Sequence, residues 1–183
     1  MKEYAVAREL HPEDVRRIRE LLGMTQKEFA AFAGCSKRAV ESWEEKNTPV
    51  SGPVVTLLDL LWRQPALALQ MSLPEKKGNL RVWYMYRDMV CSVIDVDDRL
   101  RHIEVKNYIG DPLYCAFGSK LTPDYDDYLA FLESRCFPRT RDKMKLQLRE
   151  LGLPFYDPIM IIRKTDGRMA EDEFWLRMEQ NND

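Results

Sequence analysis

Two helix-start signals in this chain stand so close together that the backbone between them has room only for a sharp turn. Thr25-Gln26-Lys27-Glu28 is a capping box. Its threonine hydroxyl accepts from the N–H three residues on, and its glutamate reaches back to the threonine. The helix it opens stops at Gly34, a residue free to take the left-handed conformation that closes a helix. Only Cys35 separates Gly34 from Ser36, the next N-cap. Two short helices joined this tightly cross at a steep angle. That is the geometry of a helix-turn-helix, and the pattern up to Ser72 is helical throughout.

The neighbouring residues supply the other helices of a small bundle. A first helix is expected from Pro12 to about Leu22, stopped by Gly23, with Val15, Ile18, Leu21 and Leu22 as its apolar stripe. The helix after Ser36 runs to about Glu45, with Val40 and Trp43 on one face, and Asn47 can take the left-handed conformation that closes it. Ser51-Gly52-Pro53 opens a fourth helix carrying Val54, Leu57, Leu58 and Leu61, and Pro65 opens a short fifth. The apolar residues of Val54 to Leu69 exceed what so small a bundle needs. They form either a dimer face or a surface against a second domain.

Ser72 to Asn79 is polar and holds one Pro and one Gly, the composition of a linker. The expected organisation is a domain over 1–72, a linker over 73–79 and a second domain over 80–183. Hydrophobic residues make up 45% of the 183, enough for two small cores. The net charge is −2, and neither half is basic overall, so any nucleic-acid surface must be local. Pro53 to Met71 is interrupted by Asp59, Arg63 and Gln64, which excludes a membrane span. Met1 to Leu10 lacks the apolar stretch of a signal peptide. The cysteines (Cys35, Cys91, Cys115, Cys136) are too scattered for a metal pair, and the histidines are only His11 and His102. A cytoplasmic protein with reduced thiols, no metal and no cofactor is expected.

Thr25-Gln26-Lys27-Glu28-Phe29-Ala30, Gly34-Cys35-Ser36 and Val40-Glu41-Ser42-Trp43-Glu44 together closely resemble the Xre/Cro-repressor family of helix-turn-helix domains. Trp43 through Pro49, Gly52 and Leu57-Leu58 resemble its antitoxin branch. The resemblance covers roughly residues 13 to 63. It implies close helix approach at Ala30, a left-handed turn at Gly34, and Val40 and Trp43 pinning the recognition helix. It also implies that the third helix enters the major groove, with Lys37 and Arg38 on base edges and Ser42 one turn further. Gln26 and Ser36 are expected at phosphates, with Lys27 as a further backbone contact. Arg16, Arg17 and Arg19 read as a solvated face.

The second domain reads as α+β. Strands are expected at Leu80 to Tyr86, Met89 to Asp95 and Leu100 to Lys106. Helices follow at Pro123 to Arg135, after Thr140 as a cap, after Asp157-Pro158, and around Phe174, Trp175 and Met178. The expected fold class is therefore an α+β two-domain chain: an all-α helix-turn-helix bundle, then a small antiparallel sheet with packed helices. Phe117-Gly118, Phe131-Leu132-Glu133-Ser134-Arg135, Pro138-Arg139, Arg141, Leu151-Gly152-Leu153 and Phe174-Trp175 are similar to the small N-terminal module of HipA-type toxins, without their kinase lobe. Between Arg135 and Arg149 basic residues dominate. Arg141, Lys145 and Arg149 are spaced as a stripe on one helix face, preceded by Arg135 and Arg139, and can meet phosphate or an acidic protein surface. The alternative is a solvated face. The Asp95-Asp97-Asp98 and Asp124-Asp126-Asp127 clusters read as turns and a helix start, and Cys136 between arginines has a lowered pKa if exposed.

No phosphate loop, catalytic triad or dinucleotide fingerprint occurs, so no enzyme activity is expected. Two function classes remain. One is a dimeric repressor on a pseudo-palindromic operator. The other is an inhibitor with a protein target, an antitoxin or a phage or mobile-element anti-CRISPR protein against an effector nuclease, whose helix-turn-helix regulates its own operon. In the second class the basic stripe or the aromatic strand Trp83-Tyr84-Tyr86 would meet the partner.

Overall fold

The structure is a computed structural model that describes residues 2–140 and 142–180. The chain divides into two units, Met1–Ser72 and Leu73–Asp183.

In the first unit a two-residue strand β1 (Glu9–Leu10) precedes α1 (Pro12–Leu21), α2 (Gln26–Phe32) and α3 (Lys37–Glu45). Strand β2 (Val50–Ser51), α4 (Pro53–Arg63) and α5 (Ala66–Met71) follow. β1 pairs antiparallel with β2, a closure that the purely helical reading omits. Pro12 and Pro53 both stand at the first turn of their helices, where a missing N–H costs nothing. α1 ends as α2 does: Gly23 N donates to Glu20 O at 2.9 Å and Met24 N to Arg19 O at 3.2 Å, the crossed bonds of a Schellman turn. α3 ends at Glu45, the expected bound, but not through a left-handed Asn47. Lys46 is extended, and Asn47 is not among the residues with positive φ. The extended backbone after Glu45 leads instead into β2. Val15, Phe29, Val40 and Leu58 are fully buried at the centre of this bundle.

The second unit holds β3 (Leu80–Tyr86), β4 (Met89–Asp97), β5 (His102–Asn107), a 3-10 turn at Pro112–Tyr114, α6 (Tyr125–Ser134), α7 (Met144–Glu150), α8 (Pro158–Thr165) and β6 (Phe174–Gln180). The antiparallel sheet has the order β5-β4-β3-β6. β6 corrects the expected last helix. Phe174, Leu176 and Met178 belong to the core cluster, while Trp175 packs on the other face of the sheet. That period of two suits a strand, and β3 offers it a free edge along its whole length. The helix expected after Thr140 begins only at Met144, behind Lys143 at φ 68°.

The sheet's inner face carries Leu80, Val82, Tyr84, Ile94 and Val96, buried with Tyr128, Leu132, Leu148 and Ile161 of the helices. Tyr84 stacks on Phe174 with ring centroids 4.8 Å apart, and Tyr86 meets Tyr114 edge-on. Both tyrosines thus belong to the core cluster, which removes them from the expected partner-facing aromatic strand. On the outer face Arg81 and Asp95 face each other in register and form a two-pronged ion pair at 2.6 and 2.7 Å. Trp83 is covered by the Arg177 guanidinium, 4.1 Å from its ring centroid. Long cationic side chains thus shield the apolar strip of Trp83, Met85 and Val93.

Candidate nucleic-acid interface

α2 and α3 are set by their caps. Thr25 Oγ1 accepts from Glu28 N at 3.2 Å, and Glu28 Oε2 accepts from Thr25 N at 2.7 Å. These bonds hold the Glu28 carboxyl below its usual range. Ser36 Oγ accepts from Ala39 N at 3.2 Å and starts α3. Between the helices Gly34 takes φ 65°, and Cys35 N donates to Ala30 O at 2.9 Å. A side chain at Gly34 would meet no neighbour, so the glycine is there for its backbone conformation. Ala30 is buried between the helices, where a larger side chain would force them apart.

This scaffold turns α3 outward at its N-terminal end. Lys37 and Arg38 are exposed there, while Val40 is buried and Trp43 packs half-buried against the core. Ser42 is half-buried, and Lys27 and Ser36 are exposed at the two helix starts. Lys37 Nζ donates to Glu41 Oε1 at 2.7 Å one turn on, which raises the lysine pKa. Glu41 was missed in the sequence reading, yet it lies on the same outer face by its i+4 spacing. As a carboxylate there it can accept from cytosine N4.

Gln26 faces inward in part. Its amide nitrogen donates to Glu44 Oε2 at 3.0 Å. Glu44 is the residue that the sequence reading most clearly overlooked. Its side chain is 1% exposed, and Arg19 clasps it through Nε at 2.7 Å and Nη2 at 3.0 Å. Arg16 adds an ion pair at 3.8 Å and a bond from Nη2 to the Glu44 carbonyl at 3.2 Å. Burial pushes the Glu44 carboxyl up, but the bonds from Arg19 and Gln26 and both arginine charges outweigh it and hold the pKa down. The same contact raises the Arg19 pKa. Arg19 is thus no solvated surface charge but a tie between α1 and α3. Arg17 stays exposed and lies over the Trp62 ring at 5.5 Å. The signal for Glu44 was available: it follows Val40 by four residues, on the buried side of α3, where a carboxylate requires a cation.

The basic stripe of the second unit comes apart. Arg135 is buried, and its guanidinium binds both Asp172 oxygens at 2.7 and 3.0 Å and the carbonyls of Gly167 and Phe174. It ties α6 to the start of β6 and is not available to a partner. Arg139 is exposed, ion-paired to Glu133 and stacked over Tyr156 at 4.6 Å. Arg141 lies outside the described residues. Lys145 and Arg149 remain exposed, one turn apart on α7.

The acidic clusters resolve as caps and pairs. Asp124 accepts from Asp127 N at 2.9 Å to start α6, and Asp97 accepts from Arg99 N and Leu100 N in a turn. Among the described residues no group of His, Cys, Asp or Glu is arranged to hold a metal ion, and no helix is long and apolar enough to cross a membrane. Cys136 is buried, so the condition for a lowered pKa is not met, and burial pushes its thiol up to about 12. A thiol reagent at neutral pH should therefore reach Cys35 and Cys115 first and leave Cys91 and Cys136 intact until the chain unfolds. Labelling of Cys136 in the native protein would contradict this, and mass spectrometry of tryptic peptides reads it directly.

Residues 15–59 match the helix-turn-helix family. The chain is similar to antitoxin HigA-2 of Vibrio cholerae, 36% identical over 56 residues, which is 31% of this chain and 54% of the relative. It thus spans about half the length of that relative. No solved structure matches the chain. The first unit thus carries an Xre-type helix-turn-helix.

Proposed function

We propose that this chain is a transcriptional autorepressor whose first unit reads an operator at its own promoter and whose second unit binds a protein. The observation that carries this is the outward end of α3, where Lys37 and Arg38 are exposed beside a capped helix start while Val40 and Trp43 anchor the other side. In this reading α3 enters the major groove, Lys37 and Arg38 meet guanine edges, and Ser42 reads one turn further. Gln26, Lys27 and Ser36 meet phosphates around the two helix starts. One such helix spans few base pairs, so the protein acts as a dimer on half-sites about 34–36 Å apart. Leu60, Trp62, Leu69 and Met71 of α4 and α5, all 46% exposed or more, offer apolar surface to that dimer.

A second reading, supported by the similarity to antitoxin HigA-2, makes the protein partner a toxin and the chain its antitoxin. Both readings share operator binding and assign the chain no catalysis.

The test is a salt-titrated binding assay of the whole chain on the duplex upstream of its own gene, against a shuffled duplex. A preference of about 10³-fold or more, with two chains per site, is the expected result. Equal binding to both duplexes, differing only by a salt slope, would overturn operator reading.

A further inference from the structure

The second unit carries a groove of about 690 Å³ between α7 and the segment that follows it. Its shape follows from the end of α7. Gly152 takes φ 69°, Gly152 N donates to Arg149 O at 3.0 Å and Leu153 N to Leu148 O at 2.8 Å. This Schellman turn reverses the chain, so Leu153 through Tyr156 form a wall facing the helix. Leu148 and Leu153 are buried in the core at its base. Phe155 stands 59% exposed on the wall, and Leu146 is 47% exposed on the helix.

The charge of the groove is one-sided. Lys145 and Arg149 line it, and among the described residues no carboxylate does. Among the described residues neither cation has an ion-pair partner, unlike Arg139, which Glu133 holds nearby. Lys145 and Arg149 are one helical turn apart, a rise of about 6 Å.

We propose that this groove docks an acidic amphipathic segment of a partner protein. That segment places two carboxylates about 6 Å apart, as Asp or Glu at i and i+4 of a helix does, with a Leu or Phe between them against Phe155 and Leu148. The lining favours protein over nucleic acid. Two cations set in a surface of Met144, Leu148, Pro154 and Phe155 are too apolar for a phosphate track, which is polar and densely basic. The inference rests on the reading of the second unit as a protein-binding unit and names its surface and its ligand chemistry.

The experiment pans a random-peptide phage library on the full chain and counter-selects on the Lys145→Glu/Arg149→Glu variant, both positions being exposed. Unchanged circular dichroism and melting of the variant verify its fold. Enriched peptides rich in Asp, Glu, Leu and Phe are expected, binding the variant about tenfold or more weakly. Their titration should shift the amide resonances of Met144 to Tyr156 in the labelled full chain, and Phe155→Ser should weaken them too. Three results overturn the proposal: no acidic enrichment, equal binding to the variant, or a 12-mer single-stranded oligonucleotide displacing the peptides from the groove. Peptides that enrich but bind the variant equally and shift other residues of the second unit would sink the groove while leaving that unit a protein-binding one.

Discussion

Glu44→Gln should destabilise the first unit by about 3–5 kcal/mol, the cost of leaving a buried cation without its counter-charge. The substitution keeps the volume and one acceptor but removes the charge that Arg19 and Arg16 share. For a unit of this size that is a large fraction of the total, because domains hold only about 0.05–0.15 kcal/mol per residue. The variant Arg19→Met/Glu44→Met should regain much of the loss, since apolar replacement of a buried pair is often neutral. Urea unfolding of the full chain, followed through resonances of the first unit, measures both. A loss under about 1 kcal/mol for Glu44→Gln would mean the network is incidental.

The same network sets a pH dependence. The Glu44 pKa is lower in the folded state than in the unfolded chain, where a glutamate titrates near about 4.3. On acidification the unfolded state therefore takes up the proton first. The contribution is complete above that unfolded value and is lost as pH falls through the folded one. The unfolding midpoint of the first unit should hold steady near neutral pH and fall below about pH 5. In Glu44→Gln that part of the acid slope should be missing.

The second large effect is on recognition. Lys37→Ala/Arg38→Ala should cost roughly 2–6 kcal/mol of operator affinity, because each guanine contact discriminates by about 1–3 kcal/mol. That corresponds to a loss of about 30-fold at the least. Binding to shuffled DNA should fall far less, and the protein should remain folded, because both side chains are exposed and neither packs in the core. Glu41→Ala is expected to act in the opposite sense on shuffled DNA. It frees Lys37 and removes an anion from the helix, so non-specific affinity rises while discrimination falls. Equal losses on operator and shuffled DNA in the double alanine variant would reassign Lys37 and Arg38 to phosphates.

Local chemistry made the first unit legible. The Thr25–Glu28 box, the Gly34 turn and the Ser36 cap each involve residues a few positions apart, so their bonds are implicit in their spacing. The strands β3 to β5 and the α6 start at Asp124 were readable for the same reason. The groove between α7 and Phe155 was not, because its wall exists only once Gly152 has turned the chain.

The sequence by itself determined the helix-turn-helix, the outward pair Lys37 and Arg38, and the α+β character of the remainder. Tertiary structure alone decided three further things. It made Phe174–Gln180 a strand, since a segment with both helical and alternating spacing takes whichever form finds a partner, and β3 had an open edge. It buried Arg135 against Asp172, far along the chain, and so removed it from the basic surface. It also joined Arg19 to Glu44 across the bundle, because a charge finds its counter-charge in space rather than along the chain.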